Sequence, residues 1–162
     1  MKAILKIIVL CGIIVFTAFS CEKEKPETIE VLVELVNDNN VVIDTFEKGD
    51  SVLFKFYLTN LMGREVTYLR PNPEIIDFLK VFKQNFTGDY EYLGQPHVAI
   101  PFIIIPEKIK DNEVKLLGSV PITSDFNWPE MNPGNYYVGD TLKITIDDER
   151  CHFESRIYFT IK

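Results

Sequence analysis

Apolar and polar residues alternate with a period of two along much of this chain, and this pattern restricts it to a β-rich fold. The clearest run is residues 52–59, in which Phe54 and Phe56 share one face while Lys55 and Tyr57 share the other. Successive side chains of a β-strand point to opposite sides of the sheet, so this run predicts a half-buried strand. Weaker runs of the same period predict further strands at residues 29–35, 41–46, 65–69, 142–147 and 157–162.

Turn-forming residues separate these runs at short intervals. Nine prolines and eight glycines are spread through the chain, and short strands at this spacing are typical of an antiparallel β-sandwich. We therefore expect residues 28–162 to form one all-β domain, an immunoglobulin-like antiparallel β-sandwich of seven or eight strands. The Cys…Trp…Cys signature of antibody domains is absent from the sequence, so the expectation concerns the architecture alone.

One segment, residues 72–85, fits two interpretations. Asn72 and Pro73 could begin a helix, because the apolar residues that follow have helical spacing. As a strand, the same segment would pair through a turn at residues 86–89 with residues 90–93 and form a hairpin. The neighbouring elements are predicted strands and the turn residues suit a hairpin, so the hairpin is favoured.

The N-terminus has the three parts of a secretory signal. Two lysines precede residues 7–20, which contain no charged residue, and the small residue Ser20 precedes Cys21. The apolar segment is shorter than the ~20 residues that a membrane-spanning helix needs. We expect residues 1–20 to be removed as a signal peptide and the charged, proline-containing residues 21–27 to form a tether.

The residues at the expected cleavage site resemble the lipobox of bacterial lipoproteins. They read Ala18-Phe19-Ser20-Cys21, whereas the family usually has leucine in place of Ala18. The resemblance implies that a signal peptidase cuts before Cys21 and that the sulfur of this residue carries a diacylglycerol. Each buried methylene of an acyl chain adds roughly 0.8 kcal/mol of membrane affinity. We therefore expect a cell-envelope protein that is anchored by lipid to the periplasmic or surface face of the outer membrane.

Two turn-rich stretches resemble a wider family. Residues 46–60, where a Gly-Asp turn leads into a strand ending at Asn60, resemble the opening of bacterial extracytoplasmic immunoglobulin-like domains, and residues 133–137 resemble their close. The whole pattern is similar to small lipoproteins of Bacteroides-like bacteria, and more faintly to the β-sandwich of an intracellular proteinase inhibitor of bacilli. The resemblance implies the fold and the cellular setting, and it implies no functional residue.

The charge of the chain limits its partners. The net charge is −7, and removal of a signal with two lysines and no acidic residue would make that of the mature chain about −9. Nucleic-acid binding needs clustered Lys and Arg, so this class of partner is excluded. Electrostatic attraction to anionic lipid is disfavoured for the same reason, which leaves the lipid on Cys21 as the expected membrane contact.

Residues that could carry chemistry are scattered along the chain. Cys151 has no base beside it in any motif, and His97 and His152 are far apart and outside any metal-ligand motif. The acidic run at residues 147–149, in the loop between the last two predicted strands, lacks the ligand spacing of a calcium loop and is interpreted as a solvated turn. We therefore expect no catalytic residue, metal or cofactor, and we do not expect an enzyme.

The most suggestive stretch for ligand binding is the loop at residues 124–134. It contains Phe126 and Trp128, the only tryptophan, among prolines. Aromatic residues on such a loop can form a platform for a sugar or a protein ligand. In the alternative interpretation, which is favoured, Trp128 closes the open end of the sandwich and contributes to the core.

Two functions remain open from the sequence. The first is a lipid-anchored, extracytoplasmic, non-catalytic binding or accessory module with a protein or glycan ligand. The second is an inhibitor or protective protein that acts on a protease or toxin through its sandwich loops. The first of these is favoured.

Overall fold

The structure is a computed structural model that describes residues 28–70, 72–97, 105–123 and 126–162. The expected signal peptide (residues 1–20), the lipid site Cys21 and the tether (residues 21–27) lie outside these ranges. Within the ranges, no helix has both the length and the apolar character that crossing a membrane requires.

The described residues form twelve β-strands and one α-helix, which confirms the predicted all-β class. The first six strands are β1 (Ile29–Asn37), β2 (Thr45–Phe46), β3 (Val52–Asn60), β4 (Val66–Leu69), β5 (Val81–Gln84) and β6 (Tyr90–Gly94). The last six are β7 (Pro106–Ile109), β8 (Val114–Pro121), β9 (Gly134–Val138), β10 (Thr141–Ile146), β11 (Glu149–Glu154) and β12 (Ile157–Ile161). The helix, α1 (Asn72–Phe78), lies between β4 and β5 in the sequence.

The strands are arranged in three sheets. The first sheet has the order β1-β3-β8, the second β11-β10-β4-β7, and the third β2-β12-β9-β5-β6. Neighbouring strands run antiparallel except for β2 and β12, which are parallel. The third sheet therefore combines the hairpin β5–β6 with the C-terminal strands β9 and β12, which come from a distant part of the chain.

The inner faces of the sheets contribute to one buried core. Phe54 and Phe56 on β3 are fully buried, while Lys55 and Tyr57 between them are only partly covered. The alternation therefore predicts the two faces of β3 correctly. The ring of Phe54 contacts the ring of Phe159 on β12, with centroids 6.2 Å apart, so the first and third sheets meet through their aromatic side chains.

The hairpin interpretation of residues 72–85 is wrong in its first half and right in its second half. The first half forms α1 rather than a strand, whereas the second half forms β5 and pairs with β6. Ile75 and Phe78 in α1 are both buried, and a helix places residues i and i+3 on one face, whereas a strand places them on opposite faces. The ring of Phe78 packs edge-on against that of Phe56, with centroids 5.6 Å apart. Packing against the core therefore decides in favour of the helix.

The predicted count of seven or eight strands is too low. The structure adds β7, β8, β9 and β11 to the strands that alternation predicts, while the expected strand at residues 41–46 is reduced to a bridge at Val42 and to β2. The pairing register of β8 against β3 shifts between Phe56 and Tyr57, which leaves Leu117 as a bulged residue. Leu117 is fully buried out of phase with its neighbours, so β8 lacks the alternation that would predict it.

Candidate functional site

Trp128 and Phe126, the residues predicted to bind ligand, lie against the core. Trp128 is half-buried, and its ring stacks on that of Phe54 with centroids 5.7 Å apart. Its indole Nε1 donates a hydrogen bond to the carbonyl oxygen of Pro121 at 2.9 Å. Phe126 is also half-buried, and its carbonyl oxygen accepts a hydrogen bond from the backbone N–H of His97 at 3.0 Å. These contacts favour a structural role for Trp128, and its role in ligand binding stays a prediction.

Trp128 also borders a surface cleft of about 570 Å³. The turn at residues 48–51 lies across the cleft, and Met131 and Ile161 add apolar lining. Small-ligand sites typically have volumes of about 300–1,000 Å³. The predicted loop therefore keeps one surface that could take an apolar ligand group of modest size.

The titratable residues singled out from the sequence form no metal centre in the part of the chain that the structure describes, where no group of three or more His, Cys, Asp or Glu side chains could hold an ion. Cys151 is half-buried. Burial, aided by the charge of Glu149, raises the pKa of the Cys151 thiol. His152 is exposed on β11 next to it. The thiol is therefore protonated at neutral pH and is a poor nucleophile.

The acidic run after β10 begins with a solvated turn, as predicted, but this turn joins β10 to the additional strand β11 and does not lie between the last two strands. Asp147 and Asp148 have φ values of 46° and 68°, and Glu149 begins the additional strand β11. The Asp147 carboxylate accepts hydrogen bonds from the backbone N–H of Thr67 (2.8 Å) and from the side chain of Arg64 (2.6 Å). Both partners lower the pKa of Asp147. This carboxylate therefore fastens the turn to β4.

A row of four aromatic side chains, which no pattern in the sequence predicts, crosses the outer face of the third sheet. Tyr158 on β12 pairs with Tyr137 on β9, Tyr137 pairs with Phe82 on β5, and Phe82 pairs with Tyr92 on β6. We call these four residues the aromatic row. Directly paired residues of neighbouring strands point to the same side of a sheet, so the four rings form a continuous surface.

The rings of the aromatic row are in mutual contact. Phe82 and Tyr137 are stacked, with centroids 4.5 Å apart and planes 15° from parallel. The centroid of Tyr92 lies 5.3 Å from that of Phe82, and the centroid of Tyr158 lies 5.5 Å from that of Tyr137. The inner two residues are half-buried, whereas Tyr92 is 54% exposed and Tyr158 is 52% exposed. The row is therefore a supported aromatic surface that remains open to solvent.

Two further side chains border the aromatic row. The ring of Tyr90 makes edge-to-face contacts with Tyr137 and Tyr158, at centroid distances of 4.9 Å and 6.1 Å. The guanidinium of Arg156 lies 5.3 Å from the ring centroid of Tyr137. A hydrogen bond with Tyr158 raises the pKa of Arg156 further above its usual range. These contacts restrict the movement of the rings at this end of the row.

A second row of side chains lies beside the aromatic row. Thr160 Oγ1 donates a hydrogen bond to Asn135 Oδ1 (2.9 Å), and Asn135 Nδ2 donates to Gln84 Oε1 (3.0 Å). Gln84 Nε2 in turn donates to the carbonyl oxygen of Gly88 (3.0 Å). We call Thr160, Asn135 and Gln84 the polar row. Each is two residues from a member of the aromatic row on its own strand, so the two rows share a face and lie about 7 Å apart.

The aromatic row has only a weak signal in the sequence because it depends on strand pairing. Alternation places Tyr158 on the outward face of the last strand, but a single exposed aromatic residue is ordinary. Tyr137 follows Tyr136 directly, and Tyr136 is fully buried on the opposite face. Only the pairing of β5 with β9 places Phe82 beside Tyr137, and no local pattern predicts that pairing.

Comparison with known proteins assigns no family to the chain. No protein-family profile matches it, and no curated protein sequence matches it. One solved structure that aligns with it is the Pseudomonas fluorescens alkylpurine DNA glycosylase AlkC bound to DNA containing an abasic site analog, with a TM-score of 0.36 and 12% identity. The alignment covers 82% of this chain and 30% of the glycosylase chain. A likeness this distant bears on neither the fold nor the function.

Proposed function

We propose that this chain is a lipid-anchored, extracytoplasmic, non-catalytic binding module whose ligand rests on the aromatic row. The observation that carries the proposal is the exposure of Tyr92 and Tyr158, each more than half open to solvent beside a half-buried aromatic neighbour. Binding to such rings costs little side-chain entropy, because only two torsions of each tyrosine have to be fixed. Contiguous exposed apolar surface is typical of an interaction site.

The polar row supports the same proposal. Sites for small ligands combine apolar surface with a few polar groups that fix the orientation of the ligand. Thr160, Asn135 and Gln84 hold one another through hydrogen bonds, so their orientation is set before a ligand arrives. Preorganisation of this kind raises affinity because less ordering is required on binding.

The cleft beside Trp128 is a second, subordinate part of the proposal. Trp128 borders the cleft, and Phe126 precedes it on the same loop. Its indole N–H is already bonded to Pro121 and its ring is stacked on Phe54, so a ligand there would meet mainly the remaining edge of the indole. The aromatic row, with two tyrosines more than half exposed, offers the larger contact surface.

The non-catalytic character and the immunoglobulin-like sandwich also belong to the proposal. Burial raises the pKa of the Cys151 thiol, which supports a structural rather than a nucleophilic role for this residue. The contact between Phe54 on the first sheet and Phe159 on the third supports the face-to-face packing expected of a sandwich over residues 28–162.

Anchoring through Cys21 is proposed from the charged, apolar and small residues that precede it. Mass spectrometry of the full-length protein, extracted from the membranes of a bacterial host, should find an N-terminal cysteine that carries a diacylglycerol. Cys21→Ser should block this maturation, because it removes the sulfur that is expected to carry the lipid. An unmodified Cys21, or a chain that begins at another residue, would contradict the anchor.

Binding is tested on an array that carries both glycans and synthetic peptides. The double variant Tyr92→Ala/Tyr158→Ala should lose the signals that the wild-type protein gives, whereas Tyr57→Ala should keep them. Tyr57 is the matched control because it is a half-covered tyrosine on the outer face of the first sheet. Signals that persist in the double variant and disappear in Trp128→Ala would place the site on the loop instead and contradict the proposed one.

A further inference from the structure

We infer that the ligand of the aromatic row is a neutral glycan, a chain of uncharged sugar rings; the inference rests on the proposed function. A sugar ring presents C–H groups on its faces and hydroxyl groups around its rim. The C–H groups match the electron-rich faces of aromatic rings, and the hydroxyl groups match the amides and the hydroxyl of the polar row. The two rows lie side by side about 7 Å apart, so one ligand can contact both.

The polar row retains hydrogen-bonding capacity for such a ligand. A side-chain amide has two N–H donors and an oxygen with two lone pairs. Asn135 uses one N–H toward Gln84 and one lone pair toward Thr160, and Gln84 uses one N–H toward Gly88 and one lone pair toward Asn135. Each amide therefore keeps one donor and one acceptor, which suits a sugar hydroxyl because a hydroxyl both donates and accepts.

The charge of this face favours an uncharged ligand. The side chains of the aromatic row and the polar row carry no formal charge, in a protein whose net charge is −7. Arg156, which borders the aromatic row, is already engaged with Tyr137 and Tyr158. Lys80, which interacts with Tyr92, is paired with Asp140. A polyanion such as a nucleic acid or a sulfated polysaccharide needs clustered cations that are free to pair with it, so this face is poorly suited to one.

The shape of the face favours a glycan over a protein partner. Beside the polar row lies a shallow depression of about 220 Å³, whose lining includes Thr45, Asn135 and Tyr158. Protein hot spots pack apolar side chains into desolvated pockets, whereas this lining is rich in hydroxyl and amide groups. The aromatic row crosses four adjacent strands, a length of about 14 Å at about 4.8 Å per strand, which suits an oligosaccharide better than a single sugar.

Calorimetric titration of the full-length protein, kept in a detergent that has no sugar headgroup, tests the inference. The probes are gluco-, manno- and galacto-oligosaccharides of increasing length, with a polyuronate and heparin as charged comparisons. Affinity for at least one neutral series should rise with ligand length until the row is covered. The affinity should change by less than about twofold between about 50 and 500 mM salt, because no ion pair forms and salt screens only charges.

Matched variants separate stacking from folding. Tyr158→Ala should weaken binding about tenfold, the change that corresponds to 1.4 kcal/mol, whereas Tyr158→Phe keeps the ring and should stay within about threefold. Asn135→Ala should weaken binding about fivefold, because it removes hydrogen bonds to the ligand and within the polar row. Tyr57→Ala should bind as the wild-type protein does. Thermal unfolding of each variant, followed by circular dichroism, verifies that it is folded.

Tighter binding of the polyuronate or heparin than of every neutral oligosaccharide, with strong salt dependence, would overturn the inference. It is also overturned if no neutral oligosaccharide binds while peptides selected by phage display bind in a manner that depends on Tyr158; the proposed function then stands. If neither oligosaccharides nor selected peptides depend on Tyr92 and Tyr158, the inference and the proposed function both fail.

Discussion

The ring of Phe82 stacks on the ring of Tyr137, with centroids 4.5 Å apart and planes 15° from parallel. The two residues are direct cross-strand partners on β5 and β9. Their stacking contributes to the attachment of the hairpin β5–β6 to the C-terminal strands, besides the backbone hydrogen bonds between them. The same contact therefore supports both the third sheet and the proposed binding face.

Phe82→Ala should lower the free energy of unfolding by about 1–2 kcal/mol, from a lost cross-strand pair and a lost aromatic contact. Urea denaturation followed by circular dichroism measures the change. Phe86→Ala is the control, because Phe86 is fully exposed in the turn of the same hairpin and should change stability by less than about 0.5 kcal/mol. Equal decreases in the free energy of unfolding of Phe82→Ala and Phe86→Ala would show that stacking on Tyr137 does not stabilise the sheet.

Phe56→Ala should cost about 3–5 kcal/mol, because Phe56 is fully buried and its removal leaves a cavity beside Phe78. Tyr57→Ala should cost about 1 kcal/mol, since Tyr57 lies on the outer face of β3 and loses only cross-strand contacts. Equilibrium unfolding in urea compares the two variants. Similar losses would mean that the faces of β3 are assigned the wrong way round.

The strands that could be predicted from sequence are those whose side chains are buried strictly in alternation. Phe54 and Phe56 follow this rule, and β3 is found where it is expected. Leu117 does not, because a bulge rotates it into the core out of phase. In α1, the choice between helix and strand depends on the contact of Phe78 with Phe56, which is far away in the sequence. Local patterns therefore predict regular strands and miss elements that long-range packing determines.

Trp128 should emit fluorescence at blue-shifted wavelengths in the free protein, and iodide should quench it poorly. The reason is its stacking on Phe54 and its hydrogen bond to Pro121. It is the only tryptophan, so the emission is unambiguous. Trp128→Ala should cost about 3 kcal/mol of stability, and Trp128→Phe clearly less. Emission typical of indole in water, together with an unchanged melting temperature in Trp128→Ala, would favour a ligand-binding role for the loop.

The raised pKa of Tyr68 should make the free energy of unfolding decrease with pH above about pH 10, more than it does in a protein without this tyrosine. Its buried hydroxyl donates a hydrogen bond to Glu107 Oε2 at 2.7 Å, and burial followed by this bond raises the pKa of Tyr68 far above its usual value of 10.0. The folded chain therefore keeps this proton where the unfolded chain loses it. The resulting stabilisation is complete below about pH 10 and is lost progressively as the pH rises further.

Urea denaturation of the wild-type protein and of Tyr68→Phe, between about pH 8 and pH 11.5, measures this effect. The variant should be about 1 kcal/mol less stable at neutral pH because it lacks the hydrogen bond to Glu107. The difference in the free energy of unfolding between the wild-type protein and Tyr68→Phe should decrease as the pH rises above about 10. A difference in the free energy of unfolding that stays constant across this pH range would contradict the raised pKa of Tyr68.

The aromatic row differs from the loop at residues 124–134 in how far sequence can predict it. The sequence marks Trp128 as a candidate for ligand binding because it is the single tryptophan and lies outside any alternating run. In the structure its ring stacks on the ring of Phe54. Nothing in the sequence marks Tyr137 and Phe82 as candidates for a binding site, because each occupies an ordinary outward position of a short strand. Their significance arises only when β5 and β9 pair, and strand pairing between distant segments is not encoded in local composition.

The aromatic row draws its rings from two distant parts of the chain. The hairpin β5–β6 supplies Phe82 and Tyr92, and the C-terminal strands supply Tyr137 and Tyr158. A ligand that spans all four rings binds only while the hairpin is docked, so mass action adds its binding free energy to the cost of local opening. A bound ligand would therefore hold the hairpin β5–β6 against the C-terminal strands. Slower amide hydrogen exchange in the hairpin would reveal this stabilisation even if the folded structure did not change.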